Sequence, residues 1–452
     1  MDFWNLEKIK EAAGELNTYN FPENWTATGL RIWHEAFRDR NMLVMREEGE
    51  ERGAFKKNID AILPQISAFV TSNAANYQSY GLPIIEVKDT NKFIVDAGKY
   101  IRNHFNGKII AITGSSGKST TTRMLYDALY EYGACANLTQ ENTVHGICWH
   151  MTNFSTDAKY WVIESSIGRG AMTIPDIAIV TNVAPVHLAK NQTIEDIARA
   201  KAKTFDTMAE GKTAILCKET ECFDIFLNAA KAKNLKIITV GLSDDCDVKI
   251  FGNTIKIYDK EYSLGDDFIP NHLKIDMALA LAAVNDLGEN VQNAVDILTK
   301  FQSLAGRGET FTGKIQPNRT ITLVDESYNA NPLSMKATLE AFGEKYRDKN
   351  KVLILGDMAE GGQNTLKQHL DLIPVIRQVK PEKILLTGET MKEVWDMIKP
   401  EFKGEYFTNV ADLNKSLLQW IADGDCVFVK SSHSGGLYKT VNVIKNFMKN
   451  FT

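Results

Sequence analysis

One stretch of the chain combines the residue types that bind phosphate, residues 109–120, which read IIAITGSSGKST. Glycines let backbone N–H groups curl around an anion, Lys118 adds a point charge, and the Ser119 hydroxyl suits Mg²⁺. The loop has the short Gly-x-x-Gly-Lys-Ser form, because Ile112 stands where the longer phosphate-loop pattern has glycine. A strand, this loop and a helix in that order favour an ATP site over a plain glycine–serine turn. The residues predicted to bind the nucleotide are Gly114, Ser115, Ser116, Gly117, Lys118, Ser119 and Thr120.

The elements that must position this loop follow from the hydrophobic pattern. Short β-branched runs alternate with longer segments of helical period, which predicts an α/β fold with parallel sheets and helices on both faces. Residues 247–264 alternate like an antiparallel hairpin around Gly252 and Asn253. The runs expected to be strands are 108–113, 161–164, 177–181, 214–217, 321–325, 352–356, 384–387 and 427–430.

Three α/β domains are predicted along the chain. Residues 1–106 form a small α/β domain that precedes the phosphate loop. Residues 107–311 form a central parallel-sheet domain of the kind found in P-loop ATPases, and residues 312–452 form a Rossmann-like domain. This organisation predicts nucleotide and substrates in the clefts between domains.

Composition narrows the function classes. The 452 residues carry a formal net charge of −5, which argues against a nucleic-acid binder. No apolar run approaches the roughly 18–20 residues of a membrane helix, and the first residues lack a signal-peptide pattern. The six cysteines lack the spacing of a zinc site and are expected to be reduced. We therefore expect a cytoplasmic protein that acts on small molecules and does not bind a membrane. We also expect a monomer.

Further segments resemble the motifs of the Mur ligase superfamily, in the order found there. The segment VDESYNANPLSM at 324–335 is most similar to the MurF ligases within that superfamily. The resemblance implies an ATP-dependent ligase that phosphorylates a carboxylate and joins an amino acid or dipeptide to the acyl phosphate. The segments are YWVIESS at 160–166, IVTNVAPVHL at 179–188, IARAKAKTF at 197–205, VDESYNANPLSM at 324–335, LGDMAE at 355–360 and KSSH at 430–433.

The same resemblance implies a catalytic set of Lys118, Glu164, His187 and Lys201. Ser119 and Glu164 would hold one Mg²⁺, and His187 with a carbamylated Lys201 would hold a second. Independently, Lys201 lies on the apolar stripe of its presumed helix, whereas Lys203 points off that stripe. A snorkelling lysine, a structural histidine and an ordinary strand-end glutamate are the alternative interpretations.

Other roles are implied only by the resemblance. The residues it assigns to the nucleotide are His272, Asp276, Arg307 and Asp325, and those it assigns to the substrates are Asn142, Asn329, Asn331, Lys430 and His433. Asp276 stands where the family has asparagine, so the amide donor of that residue is lost. Without the family, Asn142 is a turn residue, Arg307 a linker arginine and Asp325 a strand-end residue.

The first block departs from the MurF pattern. Residues 28–33 read TGLRIW and residues 51–55 read ERGAF, where MurF ligases carry an Asp-Ser-Arg signature and a Gly-His-x-Phe segment. The acid substrate therefore stays open: it is a UDP-muramoyl-tripeptide, as in MurF proper, or another acid. A P-loop kinase or GTPase and a non-catalytic nucleotide-binding relative are weaker alternatives, since the chain has no Asn-Lys-x-Asp motif.

Overall fold

The computed structural model describes residues 3–33, 39–47, 49, 52–139, 141–183, 193–359 and 364–451. Within these residues the chain forms a two-stranded, a five-stranded, a nine-stranded and a six-stranded sheet. The three larger sheets follow one another along the chain and are flanked by helices, so the predicted α/β fold is confirmed.

The first block is built on the five-stranded sheet, ordered β2-β7-β6-β5-β4. Strands β4 to β7 are parallel and β2 joins the edge antiparallel, while β1 and β3 pair separately. Its elements are β1 (Trp4–Asn5), α1 (Leu6–Ala13), β2 (Asn17–Tyr19), β3 (Thr26–Ala27), β4 (Leu30–Arg31), β5 (Asn41–Val44), β6 (Ile66–Thr71), β7 (Ile84–Glu86) and α2 (Thr90–Asn103).

The central block carries the nine-stranded sheet, ordered β16-β15-β14-β13-β12-β11-β8-β10-β9. Strands β8 to β14 are parallel, and β14, β15 and β16 form an antiparallel meander, so the predicted hairpin gains a third strand. Its strands are β8 (Lys108–Thr113), β9 (Ala134–Ala136), β10 (Tyr160–Glu164), β11 (Ile177–Val180), β12 (Thr213–Cys217), β13 (Lys236–Gly241), β14 (Val248–Phe251), β15 (Thr254–Ile257) and β16 (Lys260–Ser263). Its helices are α3 (Lys118–Leu129), α4 (Val144–Asn153), α5 (Ile194–Ala202), α6 (Phe223–Ala232), α7 (Asn271–Asp286) and α8 (Val291–Leu298).

The last block carries the six-stranded sheet, ordered β17-β18-β22-β19-β20-β21, which is parallel except for the β17–β18 pair. The predicted boundary at 311/312 falls inside β17, because β17 pairs with β18 and so belongs to this sheet. Its strands are β17 (Glu309–Gln316), β18 (Arg319–Glu326), β19 (Lys351–Gly356), β20 (Lys383–Thr387), β21 (Lys403–Phe407) and β22 (Cys426–Lys430). Its helices are α9 (Pro332–Lys345), α10 (Thr365–Leu370), α11 (Ile373–Val379), α12 (Glu389–Ile398), α13 (Val410–Trp420) and α14 (Tyr438–Lys449).

The first two blocks share one hydrophobic core, which the sequence did not predict. Helix α2 packs on α4 so closely that a methyl group added at Gly98 would overlap Cys148. Phe105 stacks on Trp161 with the ring centres 3.8 Å apart. The cores of the six-stranded sheet contain only residues of the last block. The first two blocks therefore form one packed unit, and the third block packs separately.

No helix among the described residues is long and apolar enough to cross a bilayer. The six cysteines all lie in the described part of the chain and are free thiols, as predicted. Cys148, Cys217 and Cys426 are buried.

Candidate active site

The phosphate loop follows β8, a central strand of the nine-stranded sheet, and α3 begins at Lys118. Gly114 and Gly117 have φ of +154° and +83°, which side-chain-bearing residues rarely adopt. The end of β11 holds the loop, because Ser115 N donates to Asn182 O at 2.5 Å and Thr181 Oγ1 donates to Ser116 O at 2.5 Å. The loop is thus fixed from outside by the residues that follow β11, and it leads into the start of α3, where a helix N-terminus attracts an anion.

Glu164 ends β10, beside β8, and is only 5% exposed. Its carboxylate accepts hydrogen bonds from Ser119 Oγ at 2.6 Å and from Asn142 Nδ2 at 2.7 Å. A serine oxygen and a carboxylate this close, next to a phosphate loop, fit Mg²⁺, which binds one or two protein oxygens together with substrate phosphates. Ser119 and Glu164 are therefore the residues that would hold Mg²⁺ here, and Asn142 orients the carboxylate.

Two lysines converge on the same loop. Burial lowers the pKa of Lys118, against the attraction of Glu164. As predicted, Lys201 on α5 is buried, and its Nζ donates to Gly114 O at 2.8 Å. Burial, and then repulsion from Lys118, lower the pKa of Lys201 well below its ordinary value. Two lysine amines that disfavour each other's charged forms, beside the start of a helix, make a site that a multiply charged anion would stabilise.

The expected carbamate on Lys201 is supported neither by this hydrogen bond nor by the relatives described below. The unmodified amine is therefore the form considered from here on. The α-helix ends at Ala202 and a 3₁₀ turn follows over Lys203–Phe205, where Lys203 is exposed. His187 lies outside the described residues, so its predicted metal role has no structural account.

Asp276 lies on α7 beneath the phosphate loop. Its Oδ1 accepts a hydrogen bond from Thr121 Oγ1 at 3.0 Å, and a methyl group added at Gly117 would come within 2.5 Å of that oxygen. Burial raises the pKa of Asp276 to about 8, against the Thr121 hydrogen bond and the charge of Arg307. The residue packs against the phosphate loop as a carboxyl group that holds its proton at neutral pH, and the nucleotide contact that the resemblance implied stays a prediction.

A cavity of about 350 Å³ lies between the phosphate loop and the third block. The predicted residues that the structure brings to its wall are Ser115, Ser116, Gly117, Lys118, Ser119, Thr120, His272, Asp276, Arg307, Asn329, Asn331 and Lys430. A larger cavity of about 660 Å³ lies farther out between α7, α9 and α11, and of the predicted residues only His272 lines it. We place the chemistry in the smaller cavity because Lys118 and Ser119 of the phosphate loop line it together with Lys430 of the third block.

The third block presents charged groups to this cavity. Lys430, at the end of β22, is 2% exposed, and its Nζ lies 3.2 Å from Glu326 Oε2 and 3.0 Å from Asn329 O. Burial lowers the pKa of Lys430 and raises that of Glu326, while their mutual attraction opposes both shifts. Arg307 lies over the ring of Tyr328, 4.2 Å from its centre.

Six predicted residues in the described part of the chain are not on the cavity wall: Gly114, Asn142, Glu164, Lys201, Asp325 and His433. Asp325 turns the other way, accepting from Ser327 Oγ at 2.7 Å and from Lys445 Nζ at 3.3 Å, because successive strand residues face opposite sides. Its neighbour Glu326 lines the cavity instead. His433 is exposed and stacks on Tyr438, with the ring centres 4.9 Å apart.

Burial lowers the pKa of His272 to about 4, and the charge of nearby Lys430 adds to the shift. Asn331 is the N-cap of α9, since its side chain accepts from Ser334 N at 2.8 Å. Both residues line the cavity, so His272 is a neutral side chain there and Asn331 has a structural role of its own.

Sequence reasoning missed several residues of the site. Thr181 and Asn182 hold the loop, and Glu219 and Glu326 line the cavity. Asn137 binds the backbone of Glu164. Thr181, Asn182 and Glu219 could have been predicted from the sequence, because they lie just after or near the carboxyl ends of parallel strands. Ligands bind at that edge of such sheets.

The family models and the curated relatives that match this chain point to the same family. The family model described as the Mur ligase middle domain matches residues 112–295, and the one described as the Mur ligase, glutamate ligase domain matches residues 306–433. A curated relative, the UDP-N-acetylmuramoyl-tripeptide–D-alanyl-D-alanine ligase of Rickettsia prowazekii, is 26% identical over 79% of this chain and 84% of its own. The enzyme of that name from Escherichia coli is 24% identical over 80% and 82%.

Solved structures share the fold. MurF from Acinetobacter baumannii superposes with a TM-score of 0.80 at 17% identity, covering 98% of this chain and 99% of the other. MurF from Thermotoga maritima in complex with ADP gives a TM-score of 0.71 at 18% identity, over 92% and 96%. Together the two family models match more than two thirds of the chain, in the predicted order. The chain therefore belongs to the Mur ligase family, the ATP-dependent ligases that form amide bonds.

Proposed function

We propose that the protein is an ATP- and Mg²⁺-dependent ligase of the MurF type, which joins an amino acid or dipeptide to a carboxylic acid through an acyl phosphate. The observation that carries the proposal is the convergence of Lys118 and Lys201 on a loop beside the Ser119–Glu164 pair. Such a centre neutralises the charge that develops while a phosphoryl group is transferred.

The reaction follows from this electrostatic arrangement. A carboxylate oxygen of the acid attacks the γ-phosphorus, the bond to ADP breaks, and an acyl phosphate forms. The amine nitrogen then attacks the acyl carbon and loses a proton, and the carbon–oxygen bond to phosphate breaks. Lys118, Lys201 and the start of α3 bind the phosphates, and bound Mg²⁺ would supply further charge neutralisation at the Ser119–Glu164 pair.

The third block supports the second half of the reaction. Lys430, Glu326 and Asn329 lie across the cavity from the phosphate loop, so an amine held there faces the acyl phosphate. We infer that this side receives the amino acid or dipeptide. The printed names of the relatives make D-alanyl-D-alanine the first amine to test, and UDP-N-acetylmuramoyl-tripeptide the first acid.

A second candidate is a ligase of the same chemistry that takes a different acid. The first block lacks the Asp-Ser-Arg signature, and its Arg31 is held within the block: Nε donates to Trp33 O and Nη1 to Gln65 Oε1, both at 3.0 Å. This guanidinium is therefore engaged by protein groups and is 2% exposed. We also infer small-molecule substrates, a monomer, the cytoplasm as the site of action and no role for nucleic acid.

Omitting substrates one at a time tests the proposal. ADP and inorganic phosphate are measured with both substrates present, and again with the acid or the amine left out. A ligase releases both products at full rate only with both substrates, and the Lys118→Ala variant should lose about a hundredfold in rate. ADP release with the phosphate retained on a product indicates a kinase, and no release with any acid tried contradicts the proposal. If an acid without a UDP group is the better substrate, the second candidate, a ligase that takes a different acid, is supported.

A further inference from the structure

The edge of the central sheet ends just before it would reach Glu164. Strand β9 is the edge strand and pairs with β10 from Ala134–Tyr160 to Ala136–Val162. Asn137 N still donates to Val162 O at 3.4 Å, and the chain then leaves the sheet for the loop before α4. The ladder therefore stops before the backbone of Glu164 gains a strand partner on this side.

The side chain of Asn137 takes the place of the missing rung. Its Oδ1 accepts from Glu164 N at 2.6 Å, and its Nδ2 donates to Glu164 O at 2.9 Å. Asn137 is 1% exposed, so both hydrogen bonds are shielded from water. On the opposite side, β8 pairs Ile112 with Glu164, and Ser165 N donates to Ile112 O at 2.8 Å, so this end of β10 is held from both sides.

The direction of the Glu164 side chain depends on this backbone. Its two carboxylate oxygens meet Ser119 Oγ and Asn142 Nδ2 at 2.6 and 2.7 Å, which requires the Cα–Cβ bond to point steadily at the phosphate loop. A primary amide supplies one donor and one acceptor side by side, matching a backbone N–H and C=O. Alanine supplies neither, and serine supplies a single hydroxyl on a shorter side chain.

We propose that Asn137 is a positioning residue that fixes the backbone of Glu164, and thereby the carboxylate that would hold Mg²⁺ with Ser119. The proposal rests on the proposed function, because it concerns the metal that the ligase reaction needs. Groups that orient metal ligands typically change metal affinity about 10–100-fold when they are removed. Asn137 contacts neither substrate nor metal in this role and acts through Glu164.

The test compares Asn137→Ala and Asn137→Ser with the wild-type full-length protein. Mn²⁺ affinity is measured by electron paramagnetic resonance with ADP present, so the readout does not depend on turnover. The Mg²⁺ dependence of kcat and KM and the thermal midpoint are recorded for the same samples. The matched control is Asn153→Ala, because Asn153 is also a buried amide, with Nδ2 donating to Leu30 O at 2.8 Å and Trp149 O at 2.9 Å.

We expect Asn137→Ala to weaken Mn²⁺ binding at least tenfold and to raise the Mg²⁺ concentration needed for half-maximal rate by a similar factor. Asn137→Ser should fall between alanine and wild type. Asn153→Ala should lower the thermal midpoint but keep wild-type Mn²⁺ affinity. Wild-type affinity in either folded Asn137 variant overturns the inference, even if the thermal midpoint falls. Absence of Mn²⁺–ADP binding in the wild-type protein would instead overturn the proposed function.

Discussion

Asp276 places a carboxyl group beside a loop that is built to bind anions. Its environment contains the Thr121 hydroxyl and Gly117 from the phosphate-loop side, Arg307 from the linker to the third block, and Cys217 at the end of β12. Because burial dominates, the neutral acid is the favoured form. A neutral carboxyl group does not repel bound phosphates, which reconciles this residue with the site around it.

The stability of the protein should therefore depend on pH through Asp276. An unfolded aspartate loses its proton near pH 4, whereas the folded one keeps it up to about pH 8. The folded state thus binds more protons in that window, so the wild type should lose stability relative to Asp276→Asn as the pH rises from about 4 to 8. The difference should grow by up to about 1.4 kcal/mol per pH unit and level off above 8.

Urea unfolding of both proteins at pH 5, 7 and 9 measures this difference. Asparagine has the same size and still accepts the Thr121 hydrogen bond, so it serves as the uncharged reference. A difference that does not change with pH would show that Asp276 ionises as easily in the folded protein as in the unfolded chain.

At the scale of elements, the local structures of α5 and α9 place one predicted site residue each, Lys201 and Asn331. Helix α5 starts with a capping box between Thr193 and Asp196, and its buried face carries Lys201 to Gly114. Helix α9 starts with Asn331 as N-cap and proline at its first position, which sets the helix at the cavity wall. Capping residues and the apolar face thus determine where these side chains lie.

Lys201→Met should separate the function of the buried amine from its packing. Methionine has a similar length, so the thermal midpoint should change little, since the lost hydrogen bond is offset by removing a buried polar group. The rate of ADP release should fall at least tenfold, because the amine beside the phosphate loop is lost. Lys203→Met is the control on the exposed side and should keep wild-type activity. Equal rates in both variants would remove Lys201 from the site.

Asn331 can be tested as a cap and as a substrate residue with two variants. Asn331→Ala should cost about 1 kcal/mol in the free energy of unfolding, and Asn331→Ser should restore most of it, because serine also caps helices. The rate of the serine variant then decides the second role. A KM for the amine that rises in both variants supports a substrate contact, whereas a wild-type KM in the serine variant limits Asn331 to capping.

At the scale of the whole molecule, the first two blocks act as one body. Trp149 Nε1 and Asn153 Nδ2 both donate to Leu30 O at 2.8 Å, and Trp4 Nε1 donates to Thr152 O at 3.2 Å. These buried bonds join the first block to α4 in addition to the shared core. The third block has its own cores and is reached through residues 299–308, where Gly306 and Gly308 have positive φ.

Limited proteolysis of the full-length protein should reveal this asymmetry. Cleavage is expected first within residues 299–308, leaving a stable fragment of about the first 300 residues, because Gly306 is the one buried residue of this segment. ATP with Mg²⁺ should slow this cut, since the cavity that would receive the nucleotide is bounded by Arg307. Mass spectrometry identifies the fragments. Early cleavage near residue 106 would contradict the fused first pair of blocks.

The sequence alone determined the α/β class, eight strands of the two larger sheets to within two residues, the phosphate loop and the buried position of Lys201. These features depend on local spacing, because strand alternation, glycine conformation and helical periodicity are set within a few residues. The order of motifs along the chain also sufficed for the family, which the family models confirm.

Only the tertiary structure decided which side chains meet. Asp325 and Glu326 are adjacent in sequence, yet pairing of β18 within the sheet turns one to Lys445 and the other to the cavity. Asn137 and Glu164 are linked across an interrupted ladder, and Asp276 holds its proton because the folded chain buries it. Such outcomes depend on contacts between distant segments, since burial and register arise only when the sheets and helices pack together.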